Sequence, residues 1–272
     1  MIREMLSKSV IEFAQKDFPL IDKDGTLSHA FKLMEKYRTD RVLVTDEKTL
    51  VGIMTKRDVL GKLMVERTRL STASKLHVSS FMAHPVFSIQ INASMIEAVE
   101  SMSERGIGSL PVVAGEEVKA LLHKIDVARI FLSLPSISAR EVLEPAQKIS
   151  RSGDRLVKLR EEFLNNKIVI APVLDSNNRL IGMVTVSEIA DALFLYHEKI
   201  SESSRKKARR EIFVEDVMYR QPLVVSPEEP VSVAAKLMLE NRKPGVIVAK
   251  KDSILGIITA DSLISYIHAR AR

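Results

Sequence analysis

The chain has 272 residues, with 41 Lys and Arg against 35 Asp and Glu for a net charge of +6, and 46% apolar and 28% charged residues. These proportions fit a globular protein of about two compact units and exclude a disordered or collagen-like chain. The complete lack of cysteine excludes disulfide scaffolds, zinc–thiolate sites and thiol nucleophiles together.

From Met1 to Lys16 the apolar residues are interrupted by Arg3, Glu4, Lys8, Glu12 and Lys16, so no signal peptide is expected. No later apolar run approaches the ~18 residues of a membrane span, and the reading is a cytoplasmic protein. Val10-Ile11-Glu12-Phe13 reads as a linker turn entering a first strand, Phe18 to Asp22. An amphipathic helix follows, with Leu27, Ala30, Phe31 and Met34 at i, i+3, i+4 and i+7. Two apolar runs, Arg41 to Thr45 and Leu50 to Met54, flank the polar turn Asp46 to Lys48 and predict a β-hairpin. A second helix starts at Thr55, with Val59 and Leu63 on its buried face.

The same order then recurs three times. In the second copy, Val78 to Met82 leads to a strand at Val86 to Ile91, the stripe Met95, Ala98, Val99 and Met102, and runs at Ser109 to Val113 and Glu117 to Leu122. In the third, Arg140 to Leu143 leads to Gln147 to Ser150, a helix with Leu156, Leu159, Arg160 and Phe163, and runs at Ile168 to Leu174 and Leu180 to Val184. In the fourth, Val214 to Met218 leads to Leu223 to Ser226, the stripe Val231, Ala234, Ala235 and Met238, and runs at Gly245 to Ala249 and Ile254 to Ile258. From the last stripe residue to the second helix, Met34 to Thr55, Met102 to His123 and Met238 to Thr259 each span 21 residues, and Phe163 to Thr185 spans 22. A constant period of this kind marks internal repetition of one βαββα unit.

Between the third and fourth copies lies Ser201 to Ile212, where Arg205, Lys206, Lys207, Arg209 and Arg210 outweigh Glu202 and Glu211. That stretch holds half of the excess charge. It supports a competing reading, a nucleic-acid-binding or scaffold protein that uses the basic connector 205–210, although few aromatics are present for base stacking. The six histidines, His29, His77, His84, His123, His197 and His268, show no metal-ligand spacing and read as surface groups. Met34, Met64, Met102, Met183 and Met238 are spaced as core filling. Gly106-Ile107-Gly108 precedes a strand and lacks a third glycine, so it reads as a turn and not as a dinucleotide fingerprint.

Gly52-Ile53-Met54-Thr55-Lys56-Arg57-Asp58, Gly182 to Glu188 and Gly256 to Ser262, together with Leu110-Pro111 and Ala171-Pro172-Val173, recur in phase over roughly residues 10 to 268. On these stretches the chain resembles the CBS domain, the unit named after cystathionine β-synthase. The likeness implies an α+β fold of four βαββα repeats, at 10–70, 78–134, 139–197 and 213–268. Consecutive repeats would pair into two Bateman modules, 1–135 and 136–272. It further implies clefts between paired repeats for AMP, ADP, ATP or S-adenosylmethionine, with no required cofactor and no metal. Such a chain would be a stand-alone, non-catalytic sensor that signals to a protein partner, with no membrane contact and with a homodimer as one assembly it admits.

The chemistry of these residues agrees with that implication. Thr55 stands where a strand meets a helix, whose first amides and partial positive charge suit an anion. Asp58 follows one turn later, placed to accept ribose hydroxyls, with Lys56 and Arg57 adding charge toward phosphate. Val42 and its strand neighbours would flank the adenine. Thr followed three residues later by an acid is also a capping box, and Thr185 with Glu188 fits that description better. In the second copy Leu110, Pro111, His123, Lys124 and Asp126 are the candidates. In the fourth, Ser226, Thr259 and Ser262 replace the expected set, so the first two repeats are the favoured ligand carriers.

Overall fold

The computed structural model describes residues 2–63, 73–199, 212–251 and 253–271. After a short helix α1 (Ile2–Ser7), repeat 1 consists of β1 (Leu20–Asp22), α2 (Leu27–Lys36), β2 (Arg41–Asp46), β3 (Thr49–Thr55) and α3 (Lys56–Lys62). Repeat 2 has β4 (Ile89–Gln90), α4 (Met95–Arg105), β5 (Ser109–Ala114), β6 (Glu117–His123) and α5 (Ala128–Phe131). Repeat 3 has β7 (Ser150–Arg151), α6 (Leu156–Asn165), β8 (Ile170–Leu174), β9 (Leu180–Thr185) and α7 (Val186–Lys199). Following α8 (Val214–Val217), repeat 4 has β10 (Val224–Val225), α9 (Val231–Asn241), β11 (Gly245–Lys250), β12 (Ser253–Thr259) and α10 (Ala260–Ala271). The architecture is α+β, and the predicted hairpins all form.

Each repeat makes a three-stranded sheet whose central strand pairs parallel with the first strand and antiparallel with the third. The register slips at one equivalent step in every copy, between Val44 and Thr45, Val112 and Val113, Val173 and Leu174, and Val248 and Ala249. In repeats 1 and 4 the Leu43 and Ile247 amides donate to the Pro19 and Leu223 carbonyls at 3.0 and 2.8 Å. Pro111 and Pro172 occupy that position in repeats 2 and 3 and have no N–H to give. Their parallel pairing therefore starts one residue later, at Val112 and Val173. Gly106 closes α4 in the left-handed region, with φ +63°, which makes Gly106 to Gly108 a turn as expected.

The helical stripes are buried as the periodicity predicts: Leu27, Ala30, Phe31 and Met34 on α2, and Val231, Ala234, Ala235 and Met238 on α9. The charged exception on α6 has a partner. Arg160 donates to the carbonyls of Leu60, Gly61 and Leu63 at 2.9, 3.4 and 3.5 Å, where α3 ends and its last carbonyls lack intrahelical donors.

The repeats group into two compact units that cut across the expected halves 1–135 and 136–272. One comprises Met1–Phe18, Phe87–Ala146 and Leu223–Arg272, and the other Pro19–Val86 and Gln147–Pro222. Repeat 2 thus packs with repeat 4, and repeat 1 with repeat 3. In the second of these units one continuous core joins Val59, Leu60 and Leu63 to Leu156, Phe163, Ile189 and Leu193. Phe31 of repeat 1 stacks on Phe194 of repeat 3 with ring centroids 3.9 Å apart.

One expectation is corrected. The segments that precede each repeat do not lead into its first strand; each docks on the neighbouring repeat. Val78 and Ser79 donate their amides to Gly25 and Lys23, and Ala83 bridges Ile53, all in repeat 1. Val10 donates to Ala93, and Gln15 bridges Leu121, in repeat 2. Repeats 3 and 4 do the same, with Tyr219 bridging Met183 and Glu144 bridging Ile257. The third strand of each sheet has an open edge, and these lead-in segments supply its missing backbone partners.

Candidate functional site

A helical turn starts at the end of the third strand of every repeat, as the second helix itself in repeats 1, 3 and 4 and as a 3-10 turn, Lys124–Val127, ahead of α5 in repeat 2, and the four corners share one device. The backbone N–H of the corner residue donates to the side chain three positions on: Thr55 to Asp58 Oδ2 at 2.8 Å, His123 to Asp126 Oδ2 at 2.9 Å, Thr185 to Glu188 Oε2 at 2.8 Å, and Thr259 to Ser262 Oγ at 2.8 Å. The hydroxyls of Thr55 and Thr185 add a bond of 2.6 Å to the same carboxylate oxygens. Three corners also spend the next amide on the loop before the central strand, where Lys56 donates to the Asp40 carbonyl at 2.8 Å, Lys124 to Gly108 at 2.9 Å and Ala260 to Pro244 at 3.2 Å. The expectation of open helix amides is thereby corrected for these first amides, which the corner side chains and loop carbonyls already satisfy.

The corners differ in how far solvent reaches them. Thr55, Lys56, Arg57 and Asp58 are half-buried. Asp126 is fully buried, with its carboxylate held by the His123 amide and by Arg129 Nε at 3.3 Å. Thr185, Thr259, Ser262 and His123 are buried, as are Val42, Leu110 and Pro111 in the strands. Lys124 and Ser226 remain half-buried. Ser226 gives its hydroxyl to Glu228 at 2.8 Å, and Lys250 first and Ser226 second hold the Glu228 carboxyl down to about 2.

The expected phosphate cations serve as ties to the facing repeat. Lys56 pairs with Asp191 at 2.7 Å, and Arg57 donates to the Phe163 and Ile168 carbonyls at the end of α6. Lys124 pairs with Asp261 at 2.8 Å in the other unit. Sequence reasoning missed these ties because it reads charge at a helix start without knowing what stands opposite. The basic stretch Arg205 to Arg210 and Met64 lie outside the described residues. Two histidines depart from the surface reading: His123, tucked in at the end of β6, and His197, on α7, are buried. Among the described residues no helix is long and apolar enough to cross a membrane, and no His, Asp and Glu cluster has metal-site geometry.

Burial pushes the Asp126 carboxyl above the usual carboxylate range, against the opposing pull of the His123 amide, Arg129 and Gln15. A carboxylate whose pKa is higher folded than unfolded costs stability at neutral pH, and the cost fades as pH falls through the folded value. Asp126→Asn keeps an acceptor for the His123 amide and removes the charge. It is expected to raise Tm at pH 7, with the gap to the native protein narrowing as pH falls. Thermal melts over a descending pH series check this, and a lower Tm at pH 7 contradicts it.

A chain of four such repeats, each cornered by the same capping device, defines an α+β repeat protein. The CBS domain family model matches residues 10–65, 78–133, 148–195 and 214–269, so this chain belongs to the CBS domain family. The crystal structure of MJ1225 from Methanocaldococcus jannaschii is similar, with a TM-score of 0.81 and 21% identity, covering 96% of this chain and 100% of that one. MJ1404 of the same organism is 24% identical over 276 residues, covering 98% of this chain and 63% of its own length. CBSCBSPB3 of Arabidopsis thaliana is 25% identical over 252 residues, covering 92% of this chain and 39% of itself. The chain therefore spans less than two thirds of one of these sequence relatives and well under half of the other.

Proposed function

We propose that this chain is a regulatory, non-catalytic protein that binds an adenosine-containing ligand, AMP, ADP, ATP or S-adenosylmethionine, and passes occupancy on to a partner protein. The observation that carries the reading is the corner of repeat 1. There a hydroxyl, two cations and a carboxylate stand on four consecutive residues, Thr55 to Asp58, half-buried where the pairs His123 and Asp126 or Thr259 and Ser262 are buried. Asp58 would turn from the Thr55 amide toward ribose hydroxyls, and Lys56 would trade Asp191 for phosphate. Such a trade gives the ligand a differential affinity for two arrangements of repeats 1 and 3, which a population shift requires. Consecutive repeats act as paired modules in this proposal, supported by their reciprocal exchange of lead-in segments.

Thermal unfolding with a panel of the four ligands tests it. A ligand at ~100 times its dissociation constant stabilises by ~2.7 kcal/mol. Asp58→Ala lowers the ligand-free baseline by ~1 kcal/mol through its lost cap, so the readout is the ligand-induced shift, which is expected to disappear. No shift with any ligand, or a full shift in the variant, overturns the reading.

A further inference from the structure

Three lead-in segments press a long side chain into the space a glycine leaves on the third strand. A Cβ on Gly52 would collide with Met82 Sδ, one on Gly182 would lie 2.7 Å from Met218 Sδ, and one on Gly256 would lie 3.0 Å from Leu143 Cδ1. In the second repeat Ala120 replaces the glycine, and the small Ala14 stands at the position equivalent to Met82. Of the two thioethers in these cradles, Met218 is only 7% exposed, whereas Met82 is half-buried and within reach of solvent.

We propose that Met82 is an oxidation-sensitive latch. With no thiol in the chain, thioethers are the sulfur that a peroxide meets. Hydrogen peroxide transfers one oxygen atom to Sδ; the sulfur loses two electrons to become the sulfoxide, and the peroxide leaves as water. The product is polar and larger, and the cradle over Gly52 is filled by the bare thioether. Two strand bonds, Ile53 to Ala83 at 3.1 Å and Ala83 to Ile53 at 2.8 Å, tie this segment to β3. Lys62 Nζ ties it to α3, donating to the Ser80 and Phe81 carbonyls at 3.2 and 3.1 Å. Expulsion of the Met82 sulfoxide therefore loosens the two elements that meet at Thr55. Any effect on a ligand there rests on the function proposed above, while the latch itself does not.

The test treats the ligand-free full chain with dilute hydrogen peroxide, maps methionine oxidation by peptide mass spectrometry over time, and follows thermal unfolding. Met82 is expected to oxidise ahead of Met218, with Tm falling by about 2 °C or more and recovering after treatment with methionine sulfoxide reductase. Met82→Leu is expected to melt at one temperature before and after peroxide; leucine suits the cradle because it conserves volume and Leu143 fills the equivalent place in repeat 4. Equal oxidation rates at Met82 and Met218, or an undiminished loss of Tm in Met82→Leu, overturn the proposal.

Discussion

Phe81→Ala is expected to cost about 3–5 kcal/mol, read as a lower midpoint in urea with an unchanged slope. Phe81 is fully buried although it lies on a connecting segment and not in a helix or strand. Its ring belongs to the same core as Phe31, Met54, Val59, Leu60 and Val78, so truncation leaves a cavity between repeat 1 and the segment docked on it. Were Phe81 simply the opening of repeat 2, as its position in the chain suggests, the loss would fall in the other unit. Hydrogen exchange locates it: faster exchange at the Ile53 and Ala83 amides, with those of repeat 2 unchanged, is the expected pattern. A loss under ~1 kcal/mol contradicts the docking.

Gly256→Ala is the second large effect, at the upper end of the ~1–3 kcal/mol typical of overpacking. The added Cβ would run into the Glu144 carbonyl oxygen, which accepts the Ile257 amide at 2.8 Å, and backbone cannot step aside as a side chain can. Gly52→Ala meets the flexible end of Met82 instead and is expected to cost less. Gly61→Ala is the control. A Cβ there meets nothing within 4 Å, and the residue lies inside α3, so a gain of about 0.5–1 kcal/mol is expected. Equal stability of Gly256→Ala and the native chain in denaturant titration would remove the steric argument.

The hairpins and helices were legible in the sequence because period, turn residues and spacing agree four times over, and the predicted strand limits fall within two or three residues of those observed. The lead-in exchange was not legible, since Val78 to Met82 adjoins repeat 2 in the chain and nothing local states which sheet edge it completes. A signal was nonetheless present: the single repeat without the glycine, at Ala120, belongs with the single lead-in segment lacking a long residue, at Ala14. At the site, Thr55 with Asp58 was read both as ligand group and as capping box; the structure contains the full box there and, in every repeat, the bond from the corner amide to the side chain three positions on. Arg160 looked like a flaw in a helical stripe because its partners, the last carbonyls of α3, lie about 100 residues away.

The interleaving of repeats has a consequence for biosynthesis. The apolar face of α3, formed by Val59, Leu60 and Leu63, shares its core with Leu156, Phe163, Ile189 and Leu193, more than 90 residues further along. A growing chain emerging at about 5–20 residues per second carries that face uncovered for seconds while repeat 2 is still being made. Non-local pairing of this kind slows folding and lengthens exposure to self-association. The nascent first half is thus the stage at which this apolar face stays open to other chains longest.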